Sequence, residues 1–143
     1  MPLPERVLID GSAFLALLSV NDASHDLAVQ TYERLVDREQ ELWTTSPTLV
    51  RIASLIHERF GVEGLRIFKD SIDGIIHVFW IDGTTYKDAL GLITNQLSGG
   101  DLGLEESLTS VVAKHLQAYV FTFNNCFGEL GIPILPREVQ KLC

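Results

Sequence analysis

The stretch VLIDGSAFLALL, residues 7–18, decides the fold of this chain. It begins with an apolar run that ends in a carboxylate, Asp10, after which Gly11 and Ser12 lead into an apolar helical segment. An uninterrupted apolar run is typical of a strand that is buried on both faces of a parallel sheet. Because binding sites in open α/β sheets form at the carboxyl ends of the strands, we predict that Asp10 lies in a functional site.

The composition is that of a globular protein, with 46% hydrophobic and 21% charged residues. Its 143 residues fit a single domain, spanning 1–143, with a core large enough to be stable. The apolar runs are too short for a membrane span and no secretion signal is visible, so we expect a cytoplasmic protein. The net charge of −8 disfavours non-specific binding to nucleic acid, because such binding depends on neutralising phosphates. Cys126 and Cys143 have no metal-site or disulfide spacing.

The predicted elements alternate between strands and helices along the chain. Strands are predicted at 7–10, 41–45, 75–80, 118–123 and 133–136, and helices at 12–20, 22–40, 48–60, 62–71, 86–97 and 104–116. Breaker residues separate them, with Gly61 ending one helix and a Gly-rich loop at 98–101. This alternation predicts a three-layer α/β fold, in which a mainly parallel sheet of four to five strands is flanked by helices.

In this order and spacing, the residues resemble a PIN domain, the small α/β nuclease fold that includes the toxins of many prokaryotic toxin–antitoxin pairs. The resemblance covers about residues 7–136 and is strongest in VLIDGSAFLALL and in YVFTFNNCFGELGIPILP, residues 119–136. The segments SPTLVRIASLIHERFG (46–61) and DLGLEESLTSVVAKHL (101–116) are similar to the helices that carry further acidic residues. The resemblance implies Mg²⁺ or Mn²⁺ held by carboxylates, an RNA substrate, a homodimer and an antitoxin partner.

Matched position by position, the chain keeps only part of the family's acidic set. The matches are Asp10 for the first acidic residue, Ser12 for the small hydroxyl residue beside it, Arg51 for the second acidic residue, Glu106 for the third, Thr122 for the threonine after the last long strand, and Asn124 for the fourth acidic residue. The resemblance thus implies catalysis by Asp10, Glu106 and Asn124, with Asp10 and Glu106 as metal ligands. It implies substrate binding by Ser12, Thr122 and Arg51.

Arg51 is the departure with the largest consequence, because a guanidinium keeps its charge and cannot ligate a metal. Inside the site it is expected to form an ion pair with Asp10 or Glu106. Asn124 replaces a charged oxygen ligand by a neutral one. We therefore predict a degenerate metal site with weak or no nuclease activity. This hypothesis fails if Arg51 points away from the site while Glu58 or Glu105 joins Asp10.

Two other functions stay open. In the first, Asp10, Glu106 and Asn124, completed by waters, hold a single Mg²⁺, and the protein is an active metal-dependent ribonuclease toxin. In the second, the protein is a non-catalytic module that binds RNA or another protein through the same site. Each residue also has a plain structural interpretation, since Asp10 and Asn124 suit turns, Glu106 suits a helix N-terminus, and Ser12 and Thr122 suit caps.

Overall fold

The computed structural model describes residues 5–95, 102–124, 127 and 130–137. The strands are β1 (Arg6–Ile9), β2 (Glu41–Thr45), β3 (Ile76–Phe79), β4 (Tyr119–Phe121) and β5 (Ile134–Leu135), and the helices are α1 (Gly11–Leu18), α2 (His25–Asp37), α3 (Ser46–Ile72), α4 (Gly83–Thr94) and α5 (Leu104–Leu116). The predicted loop at 98–101, Cys126 and Cys143 lie outside the described residues. Among the described helices, none is both long and apolar enough to cross a membrane.

The strands form one sheet in the order β3-β2-β1-β4-β5, and every neighbouring pair is parallel. Strand β1 is central, and its residues Val7, Leu8 and Ile9 are fully buried because both faces of the sheet are covered. One core cluster lies between the sheet and helices α1, α2 and α3, and the other lies between the sheet and α5. The predicted three-layer α/β fold is therefore confirmed, with all five strand ends at one edge.

Two helix starts differ from the prediction, and both differences have the same cause. Asp10, rather than Ser12, is the N-cap of α1, where its carboxylate accepts a hydrogen bond from the backbone N–H of Ala13. Thr45 is the N-cap of α3, which begins at Ser46 rather than at residue 48, and its hydroxyl accepts a hydrogen bond from the N–H of Thr48. In each case at most one residue separates the end of the strand from the start of the helix. The sequence pattern alone does not locate a helix boundary to within one or two residues.

The helices predicted at 48–60 and 62–71 form the two halves of α3, which is interrupted at Gly61. Gly61 has φ 70° and ψ −165°, a backbone conformation in which a residue with a Cβ is strained. The interruption lets the second half of α3 change direction and pack Phe68 and Ile72 beside α1 and α2. The predicted break is confirmed.

The buried face of α3 can be tested with neighbouring aliphatic residues. Ile52 is fully buried in the core, and Ile52→Ala should lower the free energy of unfolding by about 2–5 kcal/mol, since the lost contacts leave a cavity. Val50 is 58% exposed, and Val50→Ala should change it by about 0.5 kcal/mol or less. Urea denaturation of both variants measures the difference. Equal losses would contradict this assignment of the buried face.

Candidate functional site

Asp10 is a buried carboxylate at the end of the central strand, with only 6% of its surface exposed. Its Oδ1 accepts hydrogen bonds from the hydroxyl of Ser12 at 2.7 Å and from the N–H of Ala13 at 3.0 Å. Its Oδ2 accepts from the hydroxyl of Thr122 at 2.5 Å. Three of the roughly four lone-pair positions of the carboxylate are therefore occupied by hydrogen bonds within the protein.

The hydroxyls of Ser12 and Thr122 extend these bonds to the chain that follows β4. Ser12 Oγ accepts a hydrogen bond from the N–H of Phe123 at 2.9 Å, and Thr122 Oγ1 accepts from the N–H of Asn124 at 2.9 Å. The two hydroxyl oxygens lie 3.1 Å apart. The turn after β4 is thus fixed to the start of α1, which explains why β4 ends at Phe121 and not at Phe123 as predicted.

Burial raises the pKa of Asp10 to about 6, because the ionised form loses its hydration. The hydrogen bonds from Thr122, Ala13 and Ser12 act in the opposite direction, since they stabilise the carboxylate. The nearby negative charge of Glu105 raises the pKa further. Asp10 is therefore a carboxyl group that titrates close to neutral pH.

Arg51 enters the site from α3 and forms an ion pair with Glu105 of α5. Its Nε lies 3.2 Å from Oε1 and 3.1 Å from Oε2 of Glu105. Thr48, three residues before Arg51 on the same helix, donates a hydrogen bond to Oε1 of Glu105 at 3.0 Å. The predicted position of Arg51 in the site is thus observed, but the predicted partner is wrong: the ion pair is made with Glu105 and not with Asp10 or Glu106.

Gly11 lies directly beneath the guanidinium of Arg51. A Cβ at residue 11 would lie 1.8 Å from Nη2 of Arg51 and 3.4 Å from Oε1 of Glu105. The first distance is impossible for a real side chain. The absence of a side chain at residue 11 is therefore what allows this position of Arg51.

The structure brings most of the predicted residues to one small cavity of about 120 Å³. Its lining includes Asp10, Gly11, Ser12, Arg51, Glu105, Glu106 and Asn124. Thr122 lies below it, buried against Asp10. The carboxylate of Glu106 turns back over the start of α5, where a Cβ at Gly103 would lie 2.5 Å from its Oε2. Glu58 is exposed on α3 and is not part of this lining.

A divalent cation needs several carboxylate oxygens directed at one point. Among the described residues, no group of three or more His, Cys, Asp or Glu side chains is placed to hold a metal ion. Asp10 uses its oxygens as hydrogen-bond acceptors, and Glu105 uses its own for Arg51 and Thr48. Most of the oxygen lone pairs of these two carboxylates are thus engaged by groups of the protein itself.

A second concave surface lies on the other side of α1, and we refer to it as the apolar groove. It has a volume of about 610 Å³, and its lining includes Phe14, Leu17, Tyr32, Ile56, Phe60 and Ile67. Several of its apolar side chains face solvent, and the exposed fractions of Phe60 and Ile67 are 67% and 61%. Exposed apolar side chains grouped in one concave surface make the apolar groove a candidate interaction site.

Comparisons with known proteins identify the fold. No family model and no curated protein sequence matches the chain. The solved structure of VapC20 from Mycobacterium tuberculosis, a sarcin–ricin loop cleaving toxin, is similar over 88% of this chain and 95% of its own, with 16% identity and a TM-score of 0.71. VapBC2 from Rickettsia felis, bound to a DNA fragment from their promoter, is similar over 90% and 96%, with 13% identity and a TM-score of 0.68.

FitAcB from Neisseria gonorrhoeae is similar over 90% of this chain and 95% of the matched chain, with 12% identity and a TM-score of 0.64. Nearly the whole of each matched chain is therefore covered. At these identities the likeness establishes the fold: the chain has the PIN-domain fold of VapC-type toxins.

Sequence reasoning missed two residues that shape the site and ranked a third below its neighbour. From the sequence, Thr48 and Gly11 are assigned no role there, and Glu105 is named only as a residue that could join Asp10 if Arg51 pointed away. The spacing of three residues between Thr48 and Arg51 places them on the same helix face, which is a usable signal. The close approach at Gly11 leaves no signal in the sequence, because it depends on a side chain 40 positions away in the chain.

The raised pKa of Asp10 predicts a specific dependence of stability on pH. Because the folded protein binds the proton more tightly than the unfolded chain, stability falls as the pH rises from about 4 to about 7, by about 3 kcal/mol from this group. Asp10→Asn removes this slope, since the amide does not ionise. Urea denaturation across this pH range measures it.

Asp82→Asn is the matched control, because Asp82 is the N-cap of α4 and accepts from the N–H of Thr85 as Asp10 does from Ala13. Hydrogen bonds from Thr85 lower the pKa of Asp82, so its ionisation stabilises the fold above the unfolded pKa and is lost in acid. Asp82→Asn should therefore leave the slope between pH 4 and 7 unchanged and reduce the loss of stability below about pH 4, whereas Asp10→Asn acts between pH 4 and 7. An unchanged profile for Asp10→Asn would contradict the raised pKa.

Proposed function

We propose that this protein is the toxin-type component of a cytoplasmic toxin–antitoxin pair, with a metal site that is partly lost and with weak or no ribonuclease activity. One observation supports the loss above all others: the guanidinium of Arg51 lies in the acidic pocket, bound to Glu105 and seated over Gly11. A fixed positive charge there repels a divalent cation and occupies carboxylate oxygens that the cation needs.

The other polar side chains of the pocket also support the loss of the metal site. Asp10 is held by three hydrogen bonds, which occupy carboxylate lone pairs that a hard cation would need. Glu106 is directed over Gly103 at the start of its own helix. Asn124 lines the pocket and offers a neutral amide in place of a carboxylate. We infer that these groups do not hold Mg²⁺ or Mn²⁺ while Arg51 is in place.

An active metal-dependent ribonuclease is the alternative, with Asp10, Glu106 and Asn124 in the catalytic roles. The fold favours it, since VapC20 is a toxin that cleaves the sarcin–ricin loop. The direct test is whether the natural protein binds the metal. RNA binding without cleavage is less favoured, because the net charge is −8 and because the basic residues Arg66 and Lys69 are paired with Glu63 and Asp73.

We further propose that the apolar groove binds a partner protein of the antitoxin kind, through a segment that is apolar on one face and basic on the other. Two of the similar structures, VapBC2 and FitAcB, are of two-component systems, and the PIN resemblance implies such a partner. The groove supplies the apolar contact area, and the net charge of −8 favours a basic partner. The resemblance also implies a homodimer.

Calorimetric titration with Mg²⁺ and with Mn²⁺ tests the state of the metal site. The natural protein should show no binding at millimolar concentrations of either ion. Arg51→Glu should bind, because it replaces the cation by a carboxylate in a pocket that already contains Asp10 and Glu105. Arg59→Glu is the control, since it makes the same change in charge at an exposed position on the same helix.

Submillimolar binding by the natural protein would overturn the proposed loss of the site and favour the active ribonuclease. Binding by Arg59→Glu as strong as that of Arg51→Glu would show that net charge, and not the pocket, controls the affinity. A ribonuclease assay with Mn²⁺ on the same three proteins should follow the calorimetry, with activity confined to Arg51→Glu.

The partner groove can be tested with a synthetic helical peptide that carries Leu on one face and Arg on the other. The natural protein should bind this peptide, and Ile67→Glu should weaken binding by about tenfold or more, because a charge is placed against the apolar face of the peptide. Val36→Glu is the control, since Val36 is an exposed aliphatic residue on α2 and outside the groove. Fluorescence anisotropy gives the affinities.

Sedimentation velocity on the same variants identifies the other possible occupant, which is a second copy of this chain. A dimer that Ile67→Glu dissociates would assign the groove to self-association and overturn the partner proposal. A dimer that persists in Ile67→Glu is formed by another face, as the proposal expects.

A further inference from the structure

Two Asp-Gly pairs in this chain form the same local structure in different surroundings. Asp10 and Asp82 are N-caps with extended backbone, and each accepts a hydrogen bond from the N–H three residues later. Gly11 and Gly83 are therefore both the first residue of a helix. Neither has a positive φ, so backbone conformation requires glycine at neither position.

The space around the two glycines is what distinguishes them. A Cβ on Gly83 would meet no heavy atom within 4 Å. A Cβ on Gly11 would overlap the guanidinium of Arg51, with Nη2 at 1.8 Å and Cζ at 3.0 Å. Gly11 is also buried, and Glu105 approaches from the same side. The missing side chain at residue 11 thus has one clear consequence, which is to admit Arg51 to the acidic pocket.

We propose that Gly11 makes room for a built-in cation: the guanidinium of Arg51, placed over Gly11 and bound to Glu105, takes the place of a metal ion as the positive charge of the pocket, although 41% of the Arg51 side chain is exposed. This inference rests on the proposed loss of the metal site and names the residue that makes the replacement possible. The guanidinium lies where the starts of three helices meet. Arg51 and Thr48 of α3 bind Glu105 of α5, and the guanidinium lies over Gly11 of α1. Its hydrogen bonds and those of Thr48 link α3 to α5 beside the start of α1, without an added ion.

Gly11→Ala tests the inference, with Gly83→Ala as the matched control. Gly11→Ala should displace Arg51 from the pocket, lower the thermal unfolding midpoint by about 2 °C, as expected for a partly exposed ion pair, and increase the affinity for Mn²⁺ by about tenfold or more, since two carboxylates lose their fixed counter-charge. Gly83→Ala should leave the Mn²⁺ affinity unchanged and keep or raise the midpoint, because Ala favours the helix. Electron paramagnetic resonance of free Mn²⁺ measures the binding, and calorimetry measures the midpoints with and without Mn²⁺.

The Arg51→Ala background keeps the test valid even if Gly11→Ala is strongly destabilised. Without the guanidinium, a Cβ at residue 11 meets Glu105 Oε1 at an ordinary contact distance of 3.4 Å. Gly11→Ala should then no longer lower the midpoint. Arg51→Ala alone should bind Mn²⁺, and its lowered unfolding midpoint should return when Mn²⁺ is added. Without Mn²⁺, Arg51→Lys should have a midpoint between those of Arg51→Ala and the natural protein, because an ammonium lacks the planar guanidinium group.

The outcomes separate this inference from the proposed function. If the natural protein binds Mn²⁺, the proposed loss of the metal site fails, whatever the glycine variants do. If the natural protein does not bind and Gly11→Ala behaves like Gly83→Ala, only the present inference is overturned. The inference is also overturned if Gly11→Ala lowers the thermal unfolding midpoint equally in the natural protein and in the Arg51→Ala background, since Gly11 would then act independently of the guanidinium.

Discussion

The hydrogen bonds of the buried Asp10 carboxylate are the interaction on which the carboxyl edge of the sheet depends. It lies at the end of the central strand and accepts hydrogen bonds from Ser12 and Ala13 of α1 and from Thr122 after β4. These contacts fix the angle at which the chain leaves β1 and the position of the turn that follows β4. A carboxylate can do this because it accepts several hydrogen bonds at once, and burial makes each of them stronger than in water.

The same carboxylate shows how tertiary surroundings change the chemistry of a local motif. Asp10 and Asp82 cap helices with the same geometry, yet burial raises the pKa of Asp10 while hydrogen bonds lower that of the exposed Asp82. The cap geometry therefore does not by itself determine the direction in which the pKa of the capping carboxylate shifts. Whether it becomes part of a site is decided by the helices that cover it, which here bring Glu105 and Arg51 to one of the two caps.

Helix α1 separates two surfaces of opposite character. Its first turn forms the floor of the acidic pocket with Asp10 and Gly11, and its later residues, including Phe14 and Leu17, form a wall of the apolar groove. In the proposed function, the pocket carries its own cation and the apolar groove provides the contact area for a partner. The two proposals are consistent with one another, because a module that works by binding needs an exposed apolar surface and does not need a metal.

The sequence by itself determined the parallel α/β fold, the order in which strands and helices follow one another along the chain, the break at Gly61, and the place of Asp10, Arg51 and Asn124 at one edge of the sheet. The fold, the order of the elements and the break follow from periodicity, apolar runs and breaker residues, which are local properties of the chain. The place of Asp10 follows from its position at a strand end, whereas that of Arg51 and Asn124 was implied by the resemblance to the PIN domain. Only the tertiary structure decided that Glu105 rather than Glu106 meets Arg51, and that the guanidinium lies on Gly11. Adjacent residues in the first turn of a helix differ by about 100° in direction, so the choice between them depends on how α5 is rotated against α3, and that rotation is set by packing across the whole domain.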